Sequence, residues 1–384
     1  MFLWKFWFSL LLFQDLLEKA TASAHTMTKL HNDLFDVYDP EIRPILNHGE
    51  SVKVQVTMYL AMILDLDIKK QVLKFSGFMS FKWKDELLVW NTSKYGGIED
   101  IIAPQRQVWK PDITIYNNIR DSYLGESNIN VAINHKGRVL WEPPINLEVS
   151  CDVDVSKYPF DENTCVVKVI SWMHDVSAIN ITTGPEPINL ERFIPNKVFK
   201  VRSSGVECIY SHHFHKYYKY MLFKITLTRR PLYLVITVLL PIMLLAILSI
   251  LSFVISPDEK DKLSVAFTIL VAFTVFLSII NKELPKDSLK MSLLVVYISL
   301  LIIVAIFAVA GNCLVIVMHE KDKKKLKSVS VDTLDDGRNA VTTDKWWKVL
   351  KSRNRASGLN LLFLIFNVIF FVVITTVILR LMVF

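Results

Sequence analysis

The sequence lacks the motifs that catalysis and active transport usually require. Its 384 residues contain no Gly-rich phosphate-binding loop, no motif that pairs a nucleophile with a base, and no spaced set of metal ligands apart from one group of histidines. An internal repeat is also missing, whereas many secondary transporters are built from inverted repeats. These absences argue against an enzyme or a transporter, and we expect no cofactor.

Charged residues are missing from four long stretches. These are Leu232–Ile255, Leu263–Ile280, Met291–Met318 and Leu359–Leu379, with 24, 18, 28 and 21 residues. An α-helix of about 20 apolar residues crosses a hydrocarbon core of about 30 Å. We therefore predict a bundle of four transmembrane helices, the first three within residues 231–318 and the fourth within 357–384.

A shorter apolar run lies at the start of the chain. Phe6–Phe13 follows Lys5 and is too short to cross a membrane, and Ala22-Ser23-Ala24 after it is typical of a cleavage site. We predict that residues 1–24 are a secretory signal peptide; a membrane anchor is the alternative. Removal of the signal would leave residues 25–230 outside the cell, and four spans would return the C-terminus to the same side. The pattern predicts a multi-pass protein of the plasma membrane.

Positive charge is concentrated after the third predicted helix. Residues 319–356 hold 11 Lys and Arg against 6 Asp and Glu, which accounts for most of the formal net charge of +7. Such an excess marks the cytoplasmic side, so the basic composition gives no support to nucleic-acid binding. Four of these residues recur at steps of three, three and four: Lys345, Lys348, Lys351 and Arg355. That spacing predicts a basic amphipathic helix. Its positive face would repel cations that pass beside it; the alternative is contact with anionic lipid headgroups.

Residues 25–230 show the alternation of half-buried strands. Apolar residues alternate with polar ones at Val52, Val54, Val56, Met58 and Leu60, and again at Phe223, Ile225 and Leu227. A period of two marks strands with one buried face, and turn signals such as Tyr95-Gly96-Gly97 separate short strands. We predict an extracellular all-β, immunoglobulin-like sandwich, preceded by a short amphipathic helix at His25–Tyr38.

Cysteine use fits an exported domain. Cys313 lies in a predicted span, and Cys151 and Cys165 enclose 13 residues. A disulfide between the last two would stabilise the fold by about 3 kcal/mol in the loop-entropy model. Cys208 is interpreted as a buried thiol. Two sequons predict glycosylation at Asn91 and Asn180.

The loop between Cys151 and Cys165 has Tyr158-Pro159-Phe160-Asp161 at its centre. Two cysteines that flank 13 residues with this centre resemble the signature of the Cys-loop receptors, which are pentameric ligand-gated ion channels. Trp109-Lys110-Pro111-Asp112 is similar to a motif of their nicotinic acetylcholine receptor branch. The resemblance covers nearly the whole chain after residue 24. It implies four further subunits, in a homopentamer or a heteropentamer around a central pore.

The resemblance also implies a small-molecule agonist between two subunits, held in a box of aromatic rings by cation–π attraction. Five positions match the family's aromatic positions: Tyr116, Trp172, Tyr210 and Tyr218 on one face, and Trp83 on the complementary face. Trp90, seven residues after Trp83, is interpreted as core. The agonist is expected to be a cationic amine.

The segment between the last two tyrosines departs from the family pattern. Agonist-binding nicotinic subunits carry adjacent cysteines there, and this sequence has His212-His213, followed by His215. Three histidines in four residues are candidates to bind Zn²⁺ or Cu²⁺ or to respond to pH. The alternative is a solvated loop tip. The departure counts against acetylcholine itself as the agonist.

The second predicted span, at residues 263–283, has one face that changes from hydroxylic to apolar. Its members follow at helical steps: Ser264, Thr268, Val271, Val275, Ile279 and Lys282. In a ring of five helices the valines would form a constriction that closes by dewetting. By resemblance, Asp261 occupies the acidic ring of cation-selective members, whereas Lys282 opposes cations at the outer mouth. We predict a pore for monovalent cations, with Ca²⁺ as a further candidate.

Two arginines precede the first span. Arg229 and Arg230 are predicted to pair with Asp67 or Asp161, or to serve only as anchors at the membrane interface. Together these features favour a subunit of a ligand-gated cation channel. The alternatives are a subunit that only assembles with or modulates others, and a channel gated by protons or divalent metal through the histidine hairpin.

Overall fold

The chain forms two compact units, which are described separately. The computed structural model describes residues 24–120, 124, 128–213, 215–257, 261–285, 290–335 and 343–383, and only the backbone of 203, 325–335, 343–356 and 383. The β unit comprises Met1–Asp67, Gln71–Asp152 and Thr164–Leu227, and the helical unit comprises Ile68–Lys70, Val153–Asn163 and Thr228–Phe384. The predicted signal peptide, apart from residue 24, lies outside the described residues.

The β unit begins with a helix, α1, at residues 24–35, which ends three residues before the predicted boundary. Eleven strands follow: β1 Val52–Asp67, β2 Val72–Val89, β3 Asp100–Pro104, β4 Ile113–Ile115, β5 Asn130–Asn134, β6 Lys136–Trp141, β7 Pro144–Ser150, β8 Glu162–Ser171, β9 Ile179–Asn189, β10 Phe199–His213 and β11 Lys216–Arg229.

The strands form two sheets. One has seven strands in the order β3-β5-β6-β2-β1-β9, with β7 also paired to β2, and the other has four in the order β10-β11-β8-β4. Neighbours in the larger sheet are antiparallel except β1 and β9, which run parallel. The predicted all-β sandwich is confirmed.

The core of the β unit consists of the residues that alternate along the strands. Val54, Val56 and Met58 of β1 are fully buried, as are Phe223 and Ile225 of β11. Each buried side chain of this size stabilises the fold by about 1.5–3 kcal/mol relative to exposure. The period of two in the sequence therefore identified the inward face of both sheets.

One of the two expectations about the extracellular cysteines is confirmed and the other is wrong. Cys151 and Cys165 form the predicted disulfide. Cys208, in contrast, is exposed, although its thiol lies 3.3 Å from the sulfur of Met221. It belongs to β10, which is an edge strand of the smaller sheet.

Among the described residues of the helical unit there are four helices of membrane-spanning length: α2 Leu232–Leu251, α3 Lys262–Glu283, α4 Leu293–Asp335 and α5 Thr343–Val383. Their apolar parts confirm the four predicted spans, so this is a multi-pass membrane protein. Helices α4 and α5 both continue beyond their apolar stretches, into the polar segment between them. The predicted basic amphipathic surface lies in this part of α5, where the side chains are outside the described set.

Buried polar contacts connect the four helices. The Asn312 side chain of α4 donates to the Ser252 hydroxyl at 3.0 Å, and the Tyr297 hydroxyl of α4 lies 3.1 Å from that of Thr375 in α5. Lys262, the first residue of α3, is fully buried and donates to the carbonyl of Ile255 at 2.9 Å. Because polar groups are costly to bury without partners, these contacts favour one arrangement of the bundle.

Candidate ligand site and pore-facing helix

Tyr116 and Trp172 are positioned by the pairing of β4 with β8. Tyr116 directly follows β4 and its backbone N–H donates to the carbonyl of Lys168, at 2.8 Å. Trp172 directly follows β8 and its N–H donates to the carbonyl of Asp112, at 3.1 Å. Both side chains are accessible, with exposed fractions of 55% and 60%.

The carboxylate of Asp112 holds the loop that carries Trp172. It accepts hydrogen bonds from the Ser171 hydroxyl at 2.5 Å and from the Met173 N–H at 2.7 Å, and it lies 3.1 Å from Nδ1 of His174. Burial alone would raise the pKa of Asp112, but these partners hold it below its ordinary value. An ionised Asp112 therefore fixes the backbone on both sides of Trp172.

The hairpin of β10 and β11 supplies further aromatic rings. Tyr220 contacts Tyr116 edge to face, with ring centroids 6.0 Å apart. Tyr220 is not among the predicted site residues, although it lies two residues after the half-buried Tyr218 and therefore on the same face of β11. Tyr210 is exposed but lies next to Lys219, whose ammonium is 5.8 Å from its ring. The structure thus joins Tyr116 to Tyr220, and pairs Tyr210 with a residue on the opposite face of β11.

Trp172 also lines a cavity of 680 Å³ with Lys110 and Arg120. Lys110 lies over the ring of Trp141 at 5.6 Å, and burial lowers its pKa. The Asp112 carboxylate lines the same cavity, and Arg120 forms a salt bridge with Glu148 at 3.0 Å. Acidic and basic groups therefore both border the cavity beside Trp172.

Trp83 lies in the core of the β unit and not at its surface. Its exposed fraction is 4%, and its ring meets that of Trp109 edge to face at 5.8 Å. The cause is the alternation along β2, which directs Met79, Phe81 and Trp83 inward. Phe78, on the other face of β2, stacks on Tyr59 with centroids 4.4 Å apart. Trp90 is buried, as expected.

The three histidines lie at the tip of the hairpin and are exposed. The ring of His212 contacts those of His215 and Tyr217, with centroids 6.2 and 4.9 Å apart. His213 follows His212 in β10 and therefore points to the other face of the strand. Among the residues that the structure describes, no three His, Cys, Asp or Glu side chains are grouped closely enough to hold a metal ion.

The predicted pore face of α3 is the face that the other helices of the chain leave uncovered. Val271, Val275 and Ile279 have exposed fractions of 59%, 51% and 49%. Ser264, Thr268 and Lys282 are also exposed, and so is Asp261, which immediately precedes the first turn. The opposite face is buried against the bundle through Ala266, Ile269, Phe273 and Ile280.

Within the helical unit, Arg229 pairs with Asp161 of the loop between the cysteines. Nε and Nη2 of Arg229 donate to the two carboxylate oxygens at 2.6 and 3.1 Å, and the guanidinium lies 5.2 Å from the ring of Tyr158. Of the two predicted partners, Asp161 is therefore confirmed. The same loop accepts a hydrogen bond from the first residue of α4, Leu293, at the carbonyl of Ser156.

These observations define a receptor subunit with an extracellular-type β domain and a four-helix membrane domain. The chain matches two family models: the neurotransmitter-gated ion-channel ligand binding domain at residues 27–231, and the neurotransmitter-gated ion-channel transmembrane region at residues 238–341. The chain belongs to the neurotransmitter-gated ion-channel family. Members of this family are ligand-gated ion channels and not enzymes.

Similar curated proteins are subunits of acetylcholine receptors. The chain is 28% identical over 307 residues to acetylcholine receptor subunit alpha-L1 of Schistocerca gregaria. The aligned region covers 76% of this chain and 54% of that protein. The chain is 29% identical over 295 residues to acetylcholine receptor subunit alpha-type acr-16 of Caenorhabditis briggsae, covering 76% and 59%. With human neuronal acetylcholine receptor subunit beta-3 it shares 28% over 294 residues, covering 75% and 63%. The chain thus spans between half and two thirds of these relatives' lengths.

Proposed function

We propose that this chain is a subunit of a pentameric channel that a small cationic amine opens and that conducts cations. The observation that carries the proposal is the uncovered face of α3, which begins beside Asp261 and passes from hydroxylic to apolar residues. Five such faces around an axis would enclose a pore. Its valines would exclude water when the channel is closed.

The accessible aromatic rings of the β unit support a cationic ligand. The Tyr116 and Trp172 rings are accessible, and Tyr220 lies beside Tyr116. An ammonium over the face of such a ring is attracted by about 0.5–2 kcal/mol, depending on how far it is desolvated. The names of the relatives specify acetylcholine, which is itself a cationic amine. The complementary face would have to use an aromatic on the outward face of β2, such as the half-buried Phe78, because Trp83 is buried.

Asp261 supports cation selectivity. A ring of five carboxylates at a narrow mouth creates a potential of several kT, which attracts cations and repels anions. Monovalent cations would pass, and Ca²⁺ remains a candidate. The subunit would sit in the plasma membrane with both termini outside, and Asn91, which is exposed, would carry a glycan. Asn180 is the second candidate for glycosylation; its side-chain oxygen lies 3.3 Å from the Lys219 ammonium.

Expression of the chain alone in oocytes tests the proposal. We expect a current evoked by cationic amines, with a reversal potential that follows Na⁺ and not Cl⁻. Successive fluorination of the Trp172 ring should weaken the agonist step by step, because each fluorine reduces the negative potential of the ring face. Fluorination of Trp90, which is buried, is the matched control and should leave the agonist response unchanged.

A further variant separates the pore from the ligand site. Asp261→Ala should lower the permeability ratio of Na⁺ over Cl⁻ without changing the fluorination series. A reversal potential that follows Cl⁻ in the unaltered channel contradicts cation selectivity, and a flat fluorination series contradicts the amine site. Current that appears only with a second subunit favours the modulatory alternative. Current evoked by protons or Zn²⁺, and lost when His212, His213 and His215 are replaced, favours the histidine alternative.

A further inference from the structure

The outward face of the seven-stranded sheet carries a basic concavity. It has a volume of 570 Å³ and is lined by side chains of β1, β2, β3, β5, β6 and β9. Four of the lining residues are basic and one is acidic: Lys53, Lys82, Lys84, Arg138 and Asp100. All lie in the β unit, on the surface that points away from the core. Tyr116, Trp172 and Tyr220 lie on or next to strands of the smaller sheet, whereas Phe78 lies on this same face of β2.

The basic residues are neighbours across the strands. Lys84 of β2 is directly opposite Arg138 of β6 in the ladder, and Lys82 follows on the same face of β2. Lys53 lies two residues before Gln55, which is opposite Lys82. Like charges placed opposite each other in a sheet destabilise it. The fold therefore bears a repulsion that a bound anion would remove.

Little within the chain compensates this charge. Lys84 lies 3.5 Å from Glu86, and the two side chains are 65% and 33% exposed. Lys53, Lys82 and Arg138 form no salt bridge with any residue that the structure describes. The lining carboxylate of Asp100 accepts from the Asn134 side chain at 3.0 Å. A net positive charge thus remains over the concavity.

The shape and the remaining lining residues fit a compact ligand. A volume of 570 Å³ falls within the range of about 300–1,000 Å³ that is usual for small-molecule sites. Gln55, Asn134 and Thr182 add uncharged hydrogen-bonding groups, and Ala132 and Leu140 add apolar surface. A hollow of this kind suits a small molecule better than the broad surface of a protein partner does.

We propose that this concavity binds a small polyanion with phosphate or carboxylate groups. The planar guanidinium of Arg138 would hold one anionic group with two parallel hydrogen bonds, and the lysines would hold a second group as point charges. Binding would also relieve the repulsion between Lys84 and Arg138, so the anion would stabilise the β unit. The proposal does not depend on which ion passes the channel.

The test uses the full chain purified in detergent, with inorganic pyrophosphate and citrate as probes. Titration calorimetry should give saturable binding that weakens with added NaCl, because salt screens these charges over about 8 Å at 0.15 M. Either probe should also raise the Tm of thermal unfolding in proportion to its saturation. Lys84→Gln/Arg138→Gln should weaken binding by about tenfold or more, since charge-assisted hydrogen bonds are lost.

The same double variant distinguishes a binding site from a structural cluster. Without anion its Tm should equal or exceed that of the unaltered chain, because the repulsion across the ladder is gone. Arg138→Lys should give intermediate affinity, since it keeps the charge and loses the planar fork. Lys197→Gln/Lys200→Gln, with the same change of net charge on exposed residues elsewhere in the β unit, should bind both probes normally.

Three results would overturn the proposal. One is the absence of saturable binding by both probes. Another is equal weakening in the Lys197/Lys200 control, which would show that only net charge matters. The last is a polyglutamate peptide that binds while both small anions fail, which would assign the surface to an acidic protein partner.

Discussion

At the scale of single residues, the ion pair of Arg229 and Asp161 is the contact with the largest expected effect on stability. Their side chains are 8% and 1% exposed, and Asn163 also donates to the Asp161 carboxylate, at 2.8 Å. The removal of two charges from water has a desolvation cost, and this cost cancels much of the free energy gained from their attraction. The loss of one partner, however, leaves the other buried and unpaired.

We therefore expect Asp161→Ala to lower the free energy of unfolding by about 3–5 kcal/mol. The double variant Asp161→Ala/Arg229→Met should be less damaging than the single one, because it removes the isolated charge. Thermal unfolding of the purified chain measures both. The exposed pair of Lys224 and Glu207 is the control, and Lys224→Gln should cost at most about 1 kcal/mol. A double variant as unstable as the sum of two single variants would show that the pair is not coupled.

The sequence located some residues of the candidate site and misplaced others. Tyr116 and Trp172 lie at the surface, as their spacing from the motifs implied, because each directly follows a strand end. Spacing alone did not show that Trp83 faces inward, since the phase of β2 depends on the register of the sheet. Tyr220 was missed because its contact with Tyr116 joins β11 to the end of β4. Such contacts depend on tertiary packing.

At the scale of elements, α3 is the helix whose two faces differ most in their surroundings and in their predicted roles. One face is buried in the bundle, and the other exposes residues that the described parts of the other helices leave uncovered. The spacing of four, three and four in the sequence was sufficient to find the exposed face, because helical periodicity is local. The number of helices that surround the face is not local information.

Val271→Ser is expected to raise the current that flows without agonist, because a hydroxyl at a dry constriction favours water there. Val265→Ser is the matched control, since Val265 lies on the same helix but is half-buried. Spontaneous current in oocytes, normalised to surface expression, measures the effect. If both variants leak equally, or neither leaks, the constriction does not lie at Val271.

The ends of the helices were less predictable than their apolar centres. Hydropathy identified four spans, yet α4 continues to Asp335. Its extension after Met318 begins with His319, which is followed by Glu, Lys and Asp residues, and Lys and Glu are good helix formers in water. The stretch without charged residues therefore indicates which part of the helix spans the membrane, whereas helix propensity determines where the helix ends.

At the scale of the whole molecule, one buried carboxylate links distant parts of the β unit. Asp85 is fully buried, accepts from the Tyr38 hydroxyl at 2.7 Å, and accepts from the N–H groups of Leu87 and Leu88. The Tyr38 hydroxyl in turn accepts from the N–H of Trp109 at 3.0 Å. Burial is the main cause that raises the pKa of Asp85 to about 6, and it also raises the pKa of Tyr38.

The raised pKa of Asp85 predicts the direction in which the free energy of unfolding changes with pH. The folded state holds a proton that the unfolded state releases between the ordinary value of 3.8 and about 6. The contribution of Asp85 is therefore fully present below pH 3.8 and is lost as the pH rises through about 6, by an amount on the order of 3 kcal/mol. Asp85→Asn should remove this fall from the profile of unfolding free energy against pH.

Asp112 should contribute a pH dependence of the free energy of unfolding with the opposite sign, and Asp112→Asn tests this. The pKa of Asp112 is lowered, so its contribution is present above pH 3.8 and is lost as the pH falls below that value. Its replacement should change the acid end of the profile and leave the region between about pH 4 and 6 intact. If Asp85→Asn leaves that region unchanged, the proton on Asp85 does not govern it.

The unbroken length of α4 has a mechanical consequence. Its 43 residues contain no proline and extend for about 65 Å, roughly twice the thickness of the hydrocarbon core. The backbone N–H of its first residue, Leu293, donates a hydrogen bond to the loop between the cysteines. A rotation imposed at that end would therefore be passed along one continuous helix. One inserted residue would turn every side chain beyond it by about 100° and advance it by about 1.5 Å. The rotation of α4 about its own axis therefore determines which side chains its C-terminal end presents to its surroundings.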